Sequence, residues 1–94
     1  FEKPDTGKFR NLGLAYRSIE AGGNMPCIMN AANEVAVELF LQDKIGFLQM
    51  SDLIEETMAK TGFIRHPSLE DYIQTDAEAR NVARERSKNY NSIN

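Results

Sequence analysis

The stretch Pro26–Gln42, with the sequence PCIMNAANEVAVELFLQ, decides the fold. Its apolar residues cover most of the circumference of a helix, and a helix of that kind packs centrally among neighbours. Only a narrow stripe along it is polar: Asn30, Asn33, Glu34 and Glu38. Proline is tolerated in a first helical turn. The pattern therefore predicts a central helix that starts at Asn24 or Pro26 and ends near Gln42.

Upstream of this helix, the residues from Lys8 to Ala21 carry apolar side chains at helical spacings. They are Phe9, Leu12, Ala15, Tyr16 and Ile19. This spacing predicts a first helix that buries that face in the core. Gly22-Gly23 is predicted to end the helix, because glycine accepts the left-handed backbone of a helix C-cap. The preceding residues, Phe1–Gly7, contain a proline and a glycine and are predicted to form a loop.

Downstream, Asp43–Gln49 is predicted to be a connector. It carries three apolar residues that we expect in the core: Ile45, Phe47 and Leu48. Ser51 or Asp52 is then predicted to cap a third helix, because Asp52 and Glu55 have the spacing of a capping box. Gly62 is predicted to stop this helix. Its expected inner face consists of Leu53, Ile54, Thr57 and Met58.

In the last third of the chain, Ser68 is predicted to cap a short helical turn bearing Leu69, Tyr72 and Ile73. Thr75 and Glu78 have capping-box spacing and are predicted to open a last helix from Asp76 to about Asn89. The inner face of that helix is thin: Ala79, Val82, Ala83 and Tyr90. The predicted fold class is therefore all-α, a small helical bundle of about four main helices plus one short helical turn. Residues 1–90 are predicted to form one domain and residues 91–94 a frayed tail.

Composition argues against several classes of function. The net charge is −3, and the basic residues near the C-terminus alternate with acidic ones, so no basic face for nucleic acid is expected. The longest apolar run falls far short of the ~20 residues that a membrane span needs. A single cysteine, Cys27, permits no internal disulfide, which fits a reducing compartment. We therefore predict a cytoplasmic protein without nucleic-acid or membrane partners.

Few residues suggest chemistry. His66 precedes a proline in a loop and is predicted to be solvated. Cys27, at a helix start where a thiol pKa can be lowered, is interpreted as a buried structural residue rather than a nucleophile. Glu34 and Glu38 lie one turn apart, and paired carboxylates can perform acid–base chemistry or bind a cation. A polar stripe that faces solvent or another domain is the simpler interpretation. No catalytic, cofactor-binding or metal-binding residue is assigned.

The central helix also belongs to an ordered set of residues that resembles a known family. Met29–Val37 reads MNAANEVAV and is followed by Phe40-Leu41 and Ile45-x-Phe47. The set continues on both sides with Phe1-x-x-Pro4-Asp5, Phe9, Leu12, Leu14-Ala15, Gly22-Gly23, Ser68-Leu69-Glu70 and Asp76-Ala77-x-Ala79-Arg80. It resembles the C-terminal domain of 1-deoxy-D-xylulose 5-phosphate reductoisomerase up to about Tyr90. Arg10 departs from the family pattern, in which proline often follows the aromatic residue.

The resemblance implies a parent enzyme, an NADPH-dependent oxidoreductase and isomerase. With a divalent metal, Mg²⁺ or Mn²⁺, that enzyme converts 1-deoxy-D-xylulose 5-phosphate to 2-C-methyl-D-erythritol 4-phosphate in non-mevalonate isoprenoid synthesis. The resemblance also implies that the NADPH-binding and catalytic domains precede this one in a homodimeric parent. The chain opens on Phe1 rather than methionine, which suggests a piece of a longer polypeptide. The piece alone is expected to be inactive.

Three functions are weighed on this basis. The favoured one is an accessory C-terminal helical domain that braces the catalytic domain. Its expected contact surfaces are the last helix and the polar stripe of Asn30, Glu34 and Glu38. The alternative is a free-standing helical protein-interaction module. The least favoured is a small metal-dependent enzyme that uses Glu34 and Glu38.

Overall fold

The computed structural model describes residues 6–90 of the chain, and the side chains of residues 10–90. Within this range four helices follow one another: α1 (Thr6–Ala21), α2 (Met25–Leu41), α3 (Phe47–Lys60) and α4 (Leu69–Ser87). Residues 6–90 contain no strand, so the predicted all-α bundle is confirmed. The predicted tail, residues 91–94, and the first part of the predicted N-terminal loop, residues 1–5, lie outside the described residues.

Helix α2 is the centre of the bundle and packs against α1, α3 and α4, as predicted. Asn24 is its N-cap and Pro26 lies in its first turn, where the missing proline N–H removes no helical hydrogen bond. Five of its side chains are buried: Ile28, Ala31, Ala32, Val35 and Ala36. Three of these five are alanines, whose small side chains let the neighbouring helices approach closely.

Helix α1 turns a different face to the core from the one predicted. Leu14 and Ser18 are buried, and Ala15 is half-buried. Three apolar residues predicted to face inward are exposed instead: Leu12, Tyr16 and Ile19. The periodic pattern is present, but an apolar stripe in a sequence does not show whether the core or a partner covers it. The helix also begins at Thr6, so part of the predicted loop is helical.

Helix α3 begins at Phe47, earlier than predicted, because a different side chain caps it. The backbone N–H of Gly46, the N-cap, donates to Gln49 Oε1 at 2.8 Å. The predicted capping box of Asp52 and Glu55 is therefore wrong. The predicted inner face is confirmed, since all four of its residues are buried: Leu53, Ile54, Thr57 and Met58.

The connector before α3 is shorter than predicted, and only one of its three predicted core residues is buried. Ile45 is buried, as expected for a residue that plugs the core. Phe47 and Leu48 lie in the first turn of α3 and are exposed, so the prediction that they enter the core is wrong. A helical backbone places successive side chains about 100° apart. Leu48 consequently faces away from the bundle while Met50 faces inward, and the ring of Phe47 packs edge-on against Phe40 at the surface, with 5.9 Å between the ring centroids.

Helix α4 is a single helix rather than a short turn followed by a second helix. Ser68 is its N-cap, and Ser68 and Asp71 form a reciprocal capping box. The predicted second capping box, Thr75 with Glu78, is wrong because both side chains bind other elements. Neither glycine nor proline interrupts Leu69–Ser87. The buried stripe consists of small residues: Thr75, Ala79, Ala83 and Ser87.

Candidate functional site

The two carboxylates singled out in the sequence, Glu34 and Glu38, are bound to arginines of α4. Arg80 Nη2 donates to Glu34 Oε1 at 2.8 Å, and Arg84 Nη2 lies 3.4 Å from Glu38 Oε1. Arg80 is also bound by Asp76 on its own helix, at 2.9 Å. The stripe on α2 thus serves the contact between α2 and α4. The side chains of Glu34 and Glu38 are still 54% and 45% exposed, so the stripe also faces solvent, which agrees with the simpler interpretation.

The environment of this pair does not favour acid–base chemistry or cation binding. The hydrogen bonds that Arg80 donates to Asp76 and Glu34 raise the pKa of Arg80, so the guanidinium stays charged and neutralises the carboxylates. Among the described residues, no group of three or more His, Cys, Asp or Glu side chains could hold a metal ion. A divalent metal therefore finds no fitting ligand set in this part of the chain.

Cys27 and His66 have the surroundings of structural residues. The Cys27 thiol is half-buried and donates a weak hydrogen bond to the carbonyl of Tyr72, with an S···O distance of 3.7 Å. Burial, with the nearby Asp76 carboxylate, raises the pKa of this thiol, so its position at a helix start does not activate it. His66 is exposed in the loop between α3 and α4, as predicted.

Asn24 is the most connected polar residue at the α1–α2 turn, and sequence reasoning saw it only as a helix start. Its side chain is completely buried. Its Nδ2 donates to the Gly62 carbonyl and to Thr75 Oγ1, both at 2.9 Å, and its Oδ1 accepts from the Ile64 N–H at 2.8 Å. Asn24 therefore joins the α1–α2 turn to the α3–α4 loop and to α4. We call this group of four residues the Asn24 node.

A second group of contacts joins α1 to α3. Arg10 Nη2 donates to Glu55 Oε1 at 2.6 Å, and Arg10 also pairs with Asp52. Arg17 lies two turns further along α1 and pairs with the other carboxylate oxygen of Glu55 at 3.1 Å. The hydrogen bonds from Arg10 and Arg17 lower the pKa of Glu55. The capping-box interpretation missed this group, because spacing within one helix carries no information about a partner about 40 residues away.

Several depressions lie on the described surface. One depression of about 460 Å³ is lined by Lys60, Asn81, Val82, Glu85 and Arg86. Its arginine is already paired with Glu56 of α3, at 3.0 Å. The glycine-rich turn that holds a pyrophosphate is absent from the sequence. The described residues therefore do not fit NADPH.

Large apolar side chains are exposed at several places among residues 10–90, including Val37, Leu41, Phe47, Leu48 and Phe63, and two further groups lie on α1 and at the start of α4. The first, which we call the α1 outer face, consists of Leu12, Tyr16 and Ile19. The second, the α4 start patch, consists of Leu69 and Ile73. None of the helices within residues 6–90 has the length and apolar character needed to cross a membrane. Exposed apolar clusters are typical of surfaces that bind another molecule.

These observations first define a class: a small all-helical domain in which many charged side chains of residues 10–90 bind one another across helix contacts. Comparison with known families then identifies the family within that class to which the chain belongs. The sequence model described as "DXP reductoisomerase C-terminal domain" matches residues 1–82. The chain belongs to this family, which confirms the resemblance found in its sequence.

Individual relatives agree with the family match. A 1-deoxy-D-xylulose 5-phosphate reductoisomerase of Phocaeicola vulgatus is 64% identical over 83 residues, which cover 88% of this chain and 22% of the relative. A 1-deoxy-D-xylulose 5-phosphate reductoisomerase 2 of Bacillus cereus is 52% identical over 85 residues, which cover 90% of this chain and 22% of the relative.

A solved structure agrees as well. The reductoisomerase from Zymomonas mobilis in complex with NADPH superimposes with a TM-score of 0.81 at 45% identity, covering 94% of this chain and 23% of that one. The chain therefore spans between a fifth and a quarter of the length of these relatives.

Proposed function

We propose that this chain is the supporting C-terminal domain of an NADPH-dependent 1-deoxy-D-xylulose 5-phosphate reductoisomerase. The family match over residues 1–82 carries the proposal. The relatives bear the name of that enzyme, and the Zymomonas mobilis protein was solved with NADPH. The enzyme acts as a homodimer in the cytoplasm, and this domain contacts its catalytic and NADPH-binding domains.

The catalytic residues, the NADPH site and the ligands of a Mg²⁺ or Mn²⁺ ion lie in the remainder of the polypeptide. Two observations support this part of the proposal. The paired carboxylates Glu34 and Glu38 are bound by arginines, and the Cys27 thiol is held in its neutral form by a raised pKa. Residues 1–90 form the supporting domain and residues 91–94 its tail.

Support of the catalytic domain can be tested with a variant that disrupts this bundle and a control that does not. Gly23→Ala places a Cβ 2.2 Å from the backbone oxygen of Ile64. At Gly22 the backbone is equally left-handed, but no atom lies within 4 Å of the added Cβ. In the full-length enzyme, Gly23→Ala should lower both Tm and kcat/KM well below the values of Gly22→Ala.

NADPH fluorescence titration separates support from direct binding. The 94-residue chain alone should leave the fluorescence of NADPH unchanged, whereas the full-length enzyme should change it. If Gly23→Ala unfolds the domain while the full-length enzyme keeps wild-type Tm and kcat/KM, the supporting role is wrong. If the 94-residue chain binds NADPH or turns over the sugar phosphate, the placement of the reactive groups is wrong.

A free-standing interaction module is the second candidate, because two exposed apolar clusters offer binding surfaces. The coding sequence upstream of Phe1 distinguishes the two. A dinucleotide-binding fingerprint, in a reading frame continuous with this domain, favours the reductoisomerase. A reading frame that starts within a few codons before Phe1 and contains no such fingerprint favours the module.

A further inference from the structure

We propose that the α1 outer face is the surface through which this domain docks against the catalytic part of its own polypeptide. The inference deepens the supporting role proposed above and rests on it. It differs from the contact surfaces expected from the sequence, which are the last helix and the polar stripe; Glu34 and Glu38 of that stripe pair with arginines of the same domain.

The rotation of α1 about its own axis is fixed from both sides. On one side Arg10 and Arg17 bind Glu55 of α3. On the other, Ser18 Oγ lies 3.8 Å from the sulfur of Met29 on α2, and Leu14 is buried between the two contacts. With this rotation, the α1 outer face cannot turn inward without breaking the ion pairs. Its position is therefore built into the folded domain.

The three side chains of the α1 outer face form one continuous strip. Residues 12, 16 and 19 are spaced by four and three positions, which places them above one another on one side of a helix. Leu12 is 53% exposed, Tyr16 63% and Ile19 68%. Tyr16 combines a large apolar ring with a hydroxyl group, a combination that is enriched in protein interfaces. The strip has the character of the centre of a contact surface.

The direction of the chain points to the occupant. The family is the C-terminal domain of its enzymes, so in a relative the remaining three quarters or more of the chain precede this domain. The polypeptide that arrives from the catalytic part reaches α1 before any other helix. The α4 start patch, in contrast, lies about 50 residues further along the chain.

The small size of the strip also favours a tethered occupant over a free one. A stable interface between separate proteins buries about 800 Å² on each side and involves roughly 20–30 residues per side. Three side chains provide much less. A domain that belongs to the same polypeptide as its partner needs less contact, because the covalent link raises the effective concentration of the partner, up to the millimolar range for short flexible linkers. A second copy of the domain has no such advantage.

Maleimide labelling of two matched cysteine variants tests the proposal in the full-length enzyme. Ile19→Cys reports on the α1 outer face, and Ile73→Cys reports on the α4 start patch. The two isoleucines are equally accessible in the domain, at 68% and 65%. Labelling is followed by mass spectrometry, with the wild-type enzyme as the blank for Cys27 and other native cysteines. Circular dichroism confirms that both variants are folded.

Docking predicts that position 19 is labelled at least about tenfold more slowly than position 73, because the thiol must wait for the domains to separate. Equal rates at the two positions overturn the proposal. Slow labelling at position 19 that disappears when the enzyme is diluted to monomers also overturns it, since a second copy then covers the strip. Protection that persists in the monomer supports docking within one polypeptide.

The labelling result and the test of the supporting role can be distinguished. If Gly23→Ala lowers Tm and kcat/KM of the full-length enzyme but position 19 is labelled as fast as position 73, the domain supports the enzyme through another surface. If position 19 is protected while Gly23→Ala changes neither quantity, the α1 outer face is the docking surface and the supporting role is wrong.

Discussion

At the α1–α2 turn a polar side chain, Asn24, is completely buried, whereas on the α1 outer face the apolar side chain of Ile19 is 68% exposed. The two residues are only five positions apart. Asn24 tolerates burial because its amide nitrogen and oxygen both have partners within the domain. Ile19 tolerates exposure because a surface isoleucine alone adds little to the free energy of the folded domain.

The difference separates two roles that an apolar–polar pattern cannot distinguish. The Asn24 node holds the helices in their arrangement, so its loss should destabilise the bundle itself. The α1 outer face has no structural role in the isolated domain, so its loss should be felt only where another surface covers it. Substitutions in the two regions therefore test this division.

The largest effect is expected for Gly23→Ala, beside the Asn24 node. The free energy of unfolding should fall by about 4 kcal/mol. A left-handed backbone costs a non-glycine residue roughly 1–2 kcal/mol, and relieving a clash with a neighbouring backbone costs roughly 1–3 kcal/mol more. Gly23 has a φ of +55°, and an added Cβ meets the Ile64 oxygen at 2.2 Å. Urea unfolding followed by circular dichroism measures the change.

The control for this substitution is Gly22→Ala, which isolates the backbone effect. Gly22 has a φ of +68°, but the space around an added Cβ is open. The expected loss is therefore only about 1–2 kcal/mol. Equal losses for the two alanine variants would show that the close approach of the α1–α2 turn to the α3–α4 loop is not needed.

Asn24→Ala comes next, with an expected loss of about 3 kcal/mol. Removal of the amide leaves the half-buried backbone N–H of Ile64 without that acceptor and the buried Thr75 hydroxyl without that donor. An unsatisfied buried group costs about 1–3 kcal/mol. Asn30→Ala on the same helix is the control, because the Asn30 amide is exposed and makes one long contact of 3.5 Å with Glu34. A loss below 1 kcal/mol for Asn24→Ala would contradict the structural role of the node.

Opposite faces of α1 give the third prediction. Leu14→Ala should lower the free energy of unfolding by about 2 kcal/mol, at the lower end of the range for buried leucines, because α1 packs on α2 and α3 at the edge of the bundle. Ile19→Ala should change it by less than about 0.5 kcal/mol, as for most surface substitutions. Thermal unfolding of the 94-residue chain compares the two. A larger effect at residue 19 would mean that the core, rather than a partner, covers the α1 outer face.

The features that could be predicted from the sequence are those that depend on residues close together in the chain. The central position of α2, the inner face of α3 and the cap at Ser68 were predicted, because each depends on residues close together in the chain. The candidate site was anticipated less well. The partners of Glu34 and Glu38 lie 46 residues away on α4, and nothing in local spacing indicates that pairing.

Failures of prediction share a physical cause. Thr75 with Glu78 and Asp52 with Glu55 have capping-box spacing, but spacing only permits a cap. In the folded chain Thr75 accepts from Asn24, Glu78 accepts from the Gly62 N–H, and Glu55 binds Arg10. These side chains thus bind partners on other elements instead of capping their own helix. The face of α1 was misassigned for the related reason that two sides of that helix carry apolar residues.

Glu55→Gln is expected to have the smallest effect, and its dependence on pH distinguishes charge from shape. Because hydrogen bonds from Arg10 and Arg17 lower the pKa of Glu55, its contribution is present above the ordinary value of 4.5 and is lost as the pH falls through the lowered pKa. The side chains of Arg10 and Glu55 are about two-fifths exposed, so solvent screens the pair. The expected loss at pH 7 is therefore below about 1 kcal/mol.

The measurement compares urea unfolding of wild type and Glu55→Gln at pH 7 and at pH 3. The two free energies should differ at pH 7 and converge as Glu55 becomes protonated. Glu85→Gln serves as the control, since Glu85 pairs only across one turn of α4 with Lys88 and both side chains are more than 70% exposed. A Glu55→Gln loss that stays the same at both pH values would mean that packing of α1 on α3, and not the charge of Glu55, holds this edge of the bundle.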